Sequence, residues 1–338
     1  MTVTMPAGVQ TARDIVGPAI ADAVRRLSPA VRAVAAYHLG LAEADGRPVG
    51  RGSAGKALRP ALALLSARAA GARPERAVPA AAAVELVHNF SLLHDDIMDG
   101  DTERRHRPTA WTVFGIGSAI LAGDSLLVLA QDLLLETPPQ GVWAARCLSA
   151  AVQRLIAGQG ADLAFETRDD VQLAECLDMA GDKTAALMAC SCSIGAIYVG
   201  APASLAMSLA GFGAHAGLAF QLADDLLGIW GAPEITGKPV GSDLRAKKKS
   251  VPVVAALTSG TEAGGELAAL LGKPEPLTED EVPLAARLVE GAGGKERTEA
   301  LADSELAAAT ACLAAAAMPD DVRAEFAAIA EFITARQW

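Results

Sequence analysis

Apolar residues recur every three or four positions along almost the whole chain, the period of a helix rather than the alternation of a strand. From Ile15 to Leu41 the pattern breaks at Ser28 and Pro29, a cap and first-turn pair that predicts a helical hairpin. A polar, glycine-rich turn follows, and Gly55-Lys56-Ala57-Leu58-Arg59-Pro60 opens the next apolar run. After a loop expected at Gly71 to Arg76, Val78 to Met98 reads as one long helix whose polar exceptions are Glu85, His88, Asn89, Ser91 and His94. Thr109 to Leu134 reads as a buried helix, in which Asp124 and Asp132 keep any uncharged stretch below membrane length. Pro138 and Pro139 break the chain before a helix carrying Gln159 and Asp162, whose spacing suits an ordinary polar face equally well.

Asp178 to Gly195 is a helix of small residues that also holds Lys183 and Thr184, and a lysine there needs a partner. Ser204 to Leu222 is nearly all apolar, but Gly211, Gly213, His215 and Gly217 favour a packed core helix over a membrane span. It delivers Gln221 and the pair Asp224-Asp225. A basic loop is expected from Gly231 to Ser250, a second loop rich in Gly, Pro and Glu from Ser259 to Glu281, and alanine-rich helices around them.

The composition agrees with an all-α fold: 51% of residues are hydrophobic, mostly Ala and Leu, and only 4% are aromatic, which favours closely packed helices. No Ser/Pro/Gly linker splits the 338 residues, so one domain is expected. It divides into an N-terminal hairpin (1–50), a motif-bearing core (51–254) and C-terminal helices (255–338). A net charge of −11 excludes a general nucleic-acid binder. Five cysteines without a Cys-x-x-Cys, and histidines without zinc spacing, suggest reduced thiols in a cytoplasmic protein. The first residues have neither a basic start nor a continuous apolar stretch, so no signal peptide, anchor or stable membrane insertion is expected.

Candidate chemistry concentrates at His94 to Thr109, HDDIMDGDTERRHRPT. Asp95 and Asp99 lie four residues apart, one turn along a helix, where like charges repel unless a cation sits between them. Oxygen ligands without His or Cys suit a hard cation, and Mg²⁺ is commonly shared between one or two carboxylates and a bound phosphate. Arg104 and Arg105 stand just downstream as phosphate forks. The plain alternative is a solvated acidic helix end before a basic loop. A second acidic pair at Asp224-Asp225 weighs against it, because acids at a helix C-terminus oppose the dipole and need another reason to be there.

Asp-Asp-x-x-Asp followed by Arg-Arg resembles the first aspartate-rich motif of the trans-isoprenyl diphosphate synthases, in particular the bacterial geranylgeranyl type, with further motifs in order from Arg51 to Val254. The resemblance implies an isoprenoid synthase orthogonal helical bundle around a deep central cavity. It implies prenyl transfer from an allylic diphosphate to isopentenyl diphosphate, with Mg²⁺ held by Asp95, Asp96, Asp99, Asp224 and Asp225. Lys56, Arg59, His88 and Arg105 are assigned by it to isopentenyl diphosphate, and Arg104, Lys183, Thr184, Gln221, Lys238 and Lys249 to the allylic substrate. Lys247 and Lys248 are read as surface residues. Phe90 and Ser91, five and four residues before Asp95, would set the floor for a growing chain and favour a geranylgeranyl product. A basic C-terminus at Arg336 and a homodimer also follow from the resemblance. The sequence departs from the family pattern at Gly228, where a third aspartate is common, and at His106, where glycine often follows the arginine pair. A terpene cyclase on the same scaffold and a non-catalytic regulatory subunit are the alternatives.

Overall fold

In the computed structural model, residues 7–49, 57–137, 139–233 and 239–334 are described, so Lys56, Pro138, Lys238 and Arg336 lie outside the described residues. Helices α1 (Ala7–Val24), α2 (Pro29–His38), α3 (Leu58–Ala69) and α4 (Val78–Met98) come first. A two-strand hairpin, Glu103–Arg104 with Arg107–Pro108, interrupts the helices before α5 (Ala110–Phe114) and α6 (Ile116–Leu135). There follow α7 (Gln140–Phe165), α8 (Leu173–Ala180), a π-helical turn (Gly181–Ala185), α9 (Ala186–Tyr198) and α10 (Ala203–Trp230). The chain ends through α11 (Ser242–Arg245), α12 (Val251–Leu257), α13 (Glu262–Leu271), α14 (Glu281–Gly291), α15 (Gly294–Ala315) and α16 (Asp320–Thr334).

The break between α1 and α2 falls at Ser28 and Pro29, as the sequence predicts. The two helices lean on the bundle more than on each other, α1 against α3 and α4 and α2 against α6. Helix α4 has the predicted bounds; its alanines from Ala80 to Ala83 are fully buried, which lets α3 and α6 pack closely on it. On the far side α10 packs on α9 and α15, so that the two acid-bearing helices are held through α9 as a common neighbour.

Two expectations fail for identifiable reasons. The predicted loop from Ser259 to Glu281 contains α13, because the Thr261 hydroxyl accepts the Gly264 N–H (3.1 Å) and Leu267, Leu270 and Leu271 are buried, which outweighs the cost of two glycines. The apolar run to Leu134 is not buried throughout: Gly115, at φ 85°, ends α5, and α6 then leaves Ile116, Leu121, Val128 and Leu135 about half exposed or more. By length and composition α6 and α10 could each cross a membrane, yet both are integral to the packed bundle.

Candidate active site

The first acidic motif lies where α4 stops. Asp99 is its C-terminal cap, its N–H donating to the Asp95 carbonyl (2.8 Å), and Gly100 at φ 69° turns the chain away. The Asp95 carboxyl is pushed up to about 6, chiefly by burial and further by Asp99, while Lys183 pulls it down. Asp96 behaves differently. Successive helical residues point about 100° apart, and Asp96 is turned into the protein, 1% exposed, where one oxygen accepts from Arg104 Nε at 2.6 Å. The sequence places Asp96 on the metal and Arg104 on a diphosphate; the structure ties the two to each other.

On α10 the acidic pair is not at a helix end, since the helix runs on to Trp230. Asp225 is buried and doubly engaged, one oxygen accepting from Gln221 Nε2 (2.8 Å) and the other from the Val251 N–H (2.9 Å) at the start of α12. Gln221 in turn accepts from the Thr184 hydroxyl (2.6 Å). These residues, expected at the metal and the substrate, form a chain that fastens α10, the π-turn and α12 together, leaving Asp224 as the half-buried member of the pair.

Lys183 projects from the π-turn and donates to Asp162 at 2.6 Å. Gly158 makes this possible, because a β-carbon there would overlap the backbone of Asp182 and Lys183. Lys248, read from the sequence as surface, belongs with this group. Burial alone would lower its pKa, but Asp162, Asp225, Asp243 and Asp99 raise it above the usual lysine range. A left-handed residue, Lys247 at φ 52°, turns the chain so that Lys247 donates outward to the Glu275 carbonyl (2.8 Å) and Lys248 faces in. Lys249, assigned to the substrate on sequence, lies 3.8 Å from the fully exposed Asp169. Only geometry separates three consecutive lysines.

A second, cationic region lies beside α3 and α4. Arg59, in the first turn of α3, and Arg105 are drawn electrostatically to Glu85, whose carboxyl is raised by burial and lowered in part by both arginines. His88 is held well below its ordinary value by burial and then by Arg59, Arg105 and Arg104, so it is neutral at pH 7. Glu85, Asn89 and Arg105 line a cavity of about 60 Å³ with Ala57 and Pro60. Arg105 and His106 are the two central residues of the hairpin turn, at φ 55° and 60°, which explains why glycine suits the second position. The hairpin is pinned by the Tyr37 hydroxyl on the Pro108 carbonyl (2.8 Å) and by Arg107 over the Tyr37 ring (4.3 Å).

The donor set fits a shared Mg²⁺. No three metal-binding side chains converge among the described residues, as a closed metal site would require; a cation completed by phosphate oxygens needs only one or two carboxylates. Gln159 is 6% exposed, and neither polar atom of its side chain has a partner among the described residues. Such a loss costs about 1–3 kcal/mol per group unless a ligand supplies the bond.

A family model described as Polyprenyl synthetase matches residues 51–289. Two proteins of Mycobacterium tuberculosis (strain ATCC 25618 / H37Rv) are similar along nearly their whole length. A (2E,6E)-farnesyl diphosphate synthase is 48% identical over 96% of this chain and 92% of its own. A geranylgeranyl diphosphate synthase is 43% identical over 97% and 93%. The crystal structure of a polyprenyl synthetase from Streptomyces coelicolor A3(2) superposes with a TM-score of 0.92 at 49% identity, over 97% of this chain and 98% of that one.

His38, near the arginine cluster, gives a pH test of this arrangement. Burial, then Arg105, Arg104 and Arg107, holds its pKa down to about 3, against 6.5 unperturbed. A depressed histidine stabilises above its unfolded pKa and loses that contribution as pH falls towards its folded one. From pH 7 to 5 the wild type should therefore lose about 1–2 kcal/mol more stability than His38→Gln. Urea melts at both pH values measure it; equal losses would mean that His38 is protonated in the native state.

Proposed function

The chain belongs to the polyprenyl synthetase family of trans-prenyltransferases, and from that premise we propose that it joins isopentenyl diphosphate head-to-tail to geranyl or farnesyl diphosphate. One observation carries the reading: two acid-bearing helices share a neighbourhood with Lys183 and Lys248, while a separate cluster of Arg59 and Arg105 gathers around Glu85. That gives one site for each diphosphate.

Asp95, Asp99 and Asp224 would hold Mg²⁺, which when bound supplies positive charge to the departing diphosphate. Lys183, Lys248 and Lys238 add fixed charge at the same oxygens. Lys56, Arg59, His88 and Arg105 hold isopentenyl diphosphate; a neutral His88 can hydrogen-bond there without adding a charge. The double bond of the held substrate attacks the allylic carbon as its carbon–oxygen bond breaks, and the released diphosphate takes the proton. No protein nucleophile is needed. A terpene cyclase has no use for the cationic cluster of Arg59 and Arg105, and a regulatory subunit none for Asp95, Asp99 and Asp224. Incubation with Mg²⁺, labelled isopentenyl diphosphate and either geranyl or farnesyl diphosphate tests the proposal, and absence of a labelled longer allylic product from both rejects it.

The product we propose is mainly geranylgeranyl diphosphate. Phe90 is buried five residues before Asp95, roughly 7 Å down α4, with its ring edge-on to His94 (4.9 Å between centroids). His94 is itself held by the Ile120 carbonyl (3.1 Å), so the ring is backed by α6. A farnesyl product is the second reading, favoured by the 48% identical relative. We also propose a homodimer in the cytoplasm. All five cysteines are free thiols, and Leu121 and Val128, two turns apart on one face of α6, stand about 60% exposed, apolar surface of the kind that a partner covers.

Lys248→Ala should raise the Michaelis constant for the allylic substrate by about tenfold or more, the loss of one charge-assisted bond, whereas Lys249→Ala should change it little. Matched kinetics for the two variants would return Lys248 to the surface. Phe90→Ala should lengthen the product, read by chromatography of the dephosphorylated alcohols, and an active variant with wild-type product length would make Phe90 simple packing. Val128→Lys should move the sedimentation coefficient from dimer to monomer. A wild-type protein that is already monomeric removes the dimer.

A further inference from the structure

Two of the five cysteines meet across the seam between α7 and α9. The half-buried Cys147 and the buried Cys190 bring their sulfurs to 3.8 Å although 43 residues separate them in sequence, and Ser193 Oγ, one turn further along α9, stands 4.0 Å from the Cys147 sulfur. The remaining thiols point elsewhere: Cys176 donates to the Lys249 carbonyl (3.2 Å), while Cys192 and Cys312 lie against Gly213 and Gly211 of α10. Once Cys147 releases its proton, the Cys190 S–H can donate to the thiolate, and that bond holds Cys147 below the ordinary thiol range against the opposing effect of burial. Cys190, the donor in that bond and buried besides, is pushed well above it. One sulfur is thus the readier nucleophile, and the other waits beside it as a thiol.

We propose that Cys147 and Cys190 form a reversible oxidation site for a small peroxide, which joins them in a disulfide between α7 and α9. The Cys147 thiolate attacks one oxygen of hydrogen peroxide; the O–O bond breaks, leaving a sulfenic acid and a hydroxide that takes up the released thiol proton as water. The Cys190 sulfur then attacks the sulfenic sulfur. The S–O bond breaks as the S–S bond forms, and the departing hydroxyl leaves with the Cys190 proton as a second water. Two thiols lose two electrons, and the peroxide gains them. Exchange with a low-molecular-weight thiol reverses the bond, the transient behaviour usual for disulfides of reducing compartments.

The pair shares its seam with Lys183. Gly158 follows Cys147 by three turns on α7, Lys183 precedes Cys190 by seven residues, and at that end the two segments are already so close that no β-carbon fits on Gly158. An S–S bond is about 2.05 Å long, so the sulfurs must close from 3.8 Å at one end of a seam that has no slack at the other. The helices then pivot about Gly158, which shifts Lys183 against Asp162, its partner at 2.6 Å. This second step rests on the reading of Lys183 as a contact of the allylic diphosphate; the disulfide itself does not.

Full-length protein treated with a modest excess of hydrogen peroxide, alkylated under denaturing conditions and mapped by mass spectrometry tests the site. The peptides of Cys147 and Cys190 should be found linked, with the other three thiols alkylated and all five recovered after dithiothreitol. Cys147→Ser should give no link. Oxidation of the wild type should raise the Michaelis constant for the allylic substrate by about tenfold or more and that for isopentenyl diphosphate by less than about twofold, an effect that the reductant reverses and Cys147→Ser lacks. Five alkylated thiols after peroxide, a link through any other cysteine, or Cys147 carried to sulfinic acid without a link overturns the site. A disulfide that leaves the allylic Michaelis constant unchanged overturns its coupling to Lys183. The mapping needs no turnover, so a wild type without prenyl transfer sinks the functional reading while the peptide map still decides the disulfide.

Discussion

The structure depends on concentrating negative charge between two helices that would be driven apart by it. Asp95 at the end of α4 and Asp225 on α10 are both raised by burial, and such charges cannot be kept in a region of low dielectric without an offset. Lysines provide it: Lys183 from the π-turn is bonded to Asp162 and also acts on Asp95, and Lys248 answers four acids from four segments. Neither lysine lies on an acid-bearing helix. The bundle must therefore be complete before the charges balance, so assembly of the fold and assembly of the site are one event.

Departures from regular geometry occur at the points where these charges are placed. The π-turn inserts an extra residue into an otherwise continuous rod, which rotates Lys183 towards Asp162, and Gly158 yields the space. Lys247 takes a left-handed conformation to present Lys248, and Arg105 does so at the hairpin. A non-glycine residue there costs about 1–2 kcal/mol. All four such residues among those described, Ala57, Arg105, His106 and Lys247, are or directly adjoin in sequence a cation assigned to the site, and strain of that kind persists only where surrounding bonds impose it.

Much of this was legible in the sequence because it is local. Val78 to Met98 is a clean helical period, and a spacing of four places Asp95 and Asp99 on one face whatever else the chain does. What stayed illegible was set by partners distant in sequence. Three consecutive lysines offer no internal reason to choose Lys248, since the choice is made by acids on α4, α7 and α10. The pair Asp224-Asp225 looks symmetrical until α12 arrives to take the second carboxylate. Periodicity likewise cannot tell an apolar face that meets the core from one that meets solvent, so half of α6 was misplaced.

The two candidate diphosphate sites are built on opposite electrostatic logic, and the proposed chemistry gives a reason. One diphosphate must stay attached to its carbon and be held; guanidiniums on α3 and the hairpin, balanced by Glu85, provide permanent charge that does not change as the reaction proceeds. The other must become a better leaving group as it departs, which favours a cation bound tightly only when phosphate oxygens complete its shell. Carboxylates that repel one another in the absence of that cation, as Asp99 repels Asp95, bind it with the repulsion relieved. A site made wholly of arginines would hold the ground state as firmly as the transition state, so the acidic half is where rate, rather than affinity, can be gained.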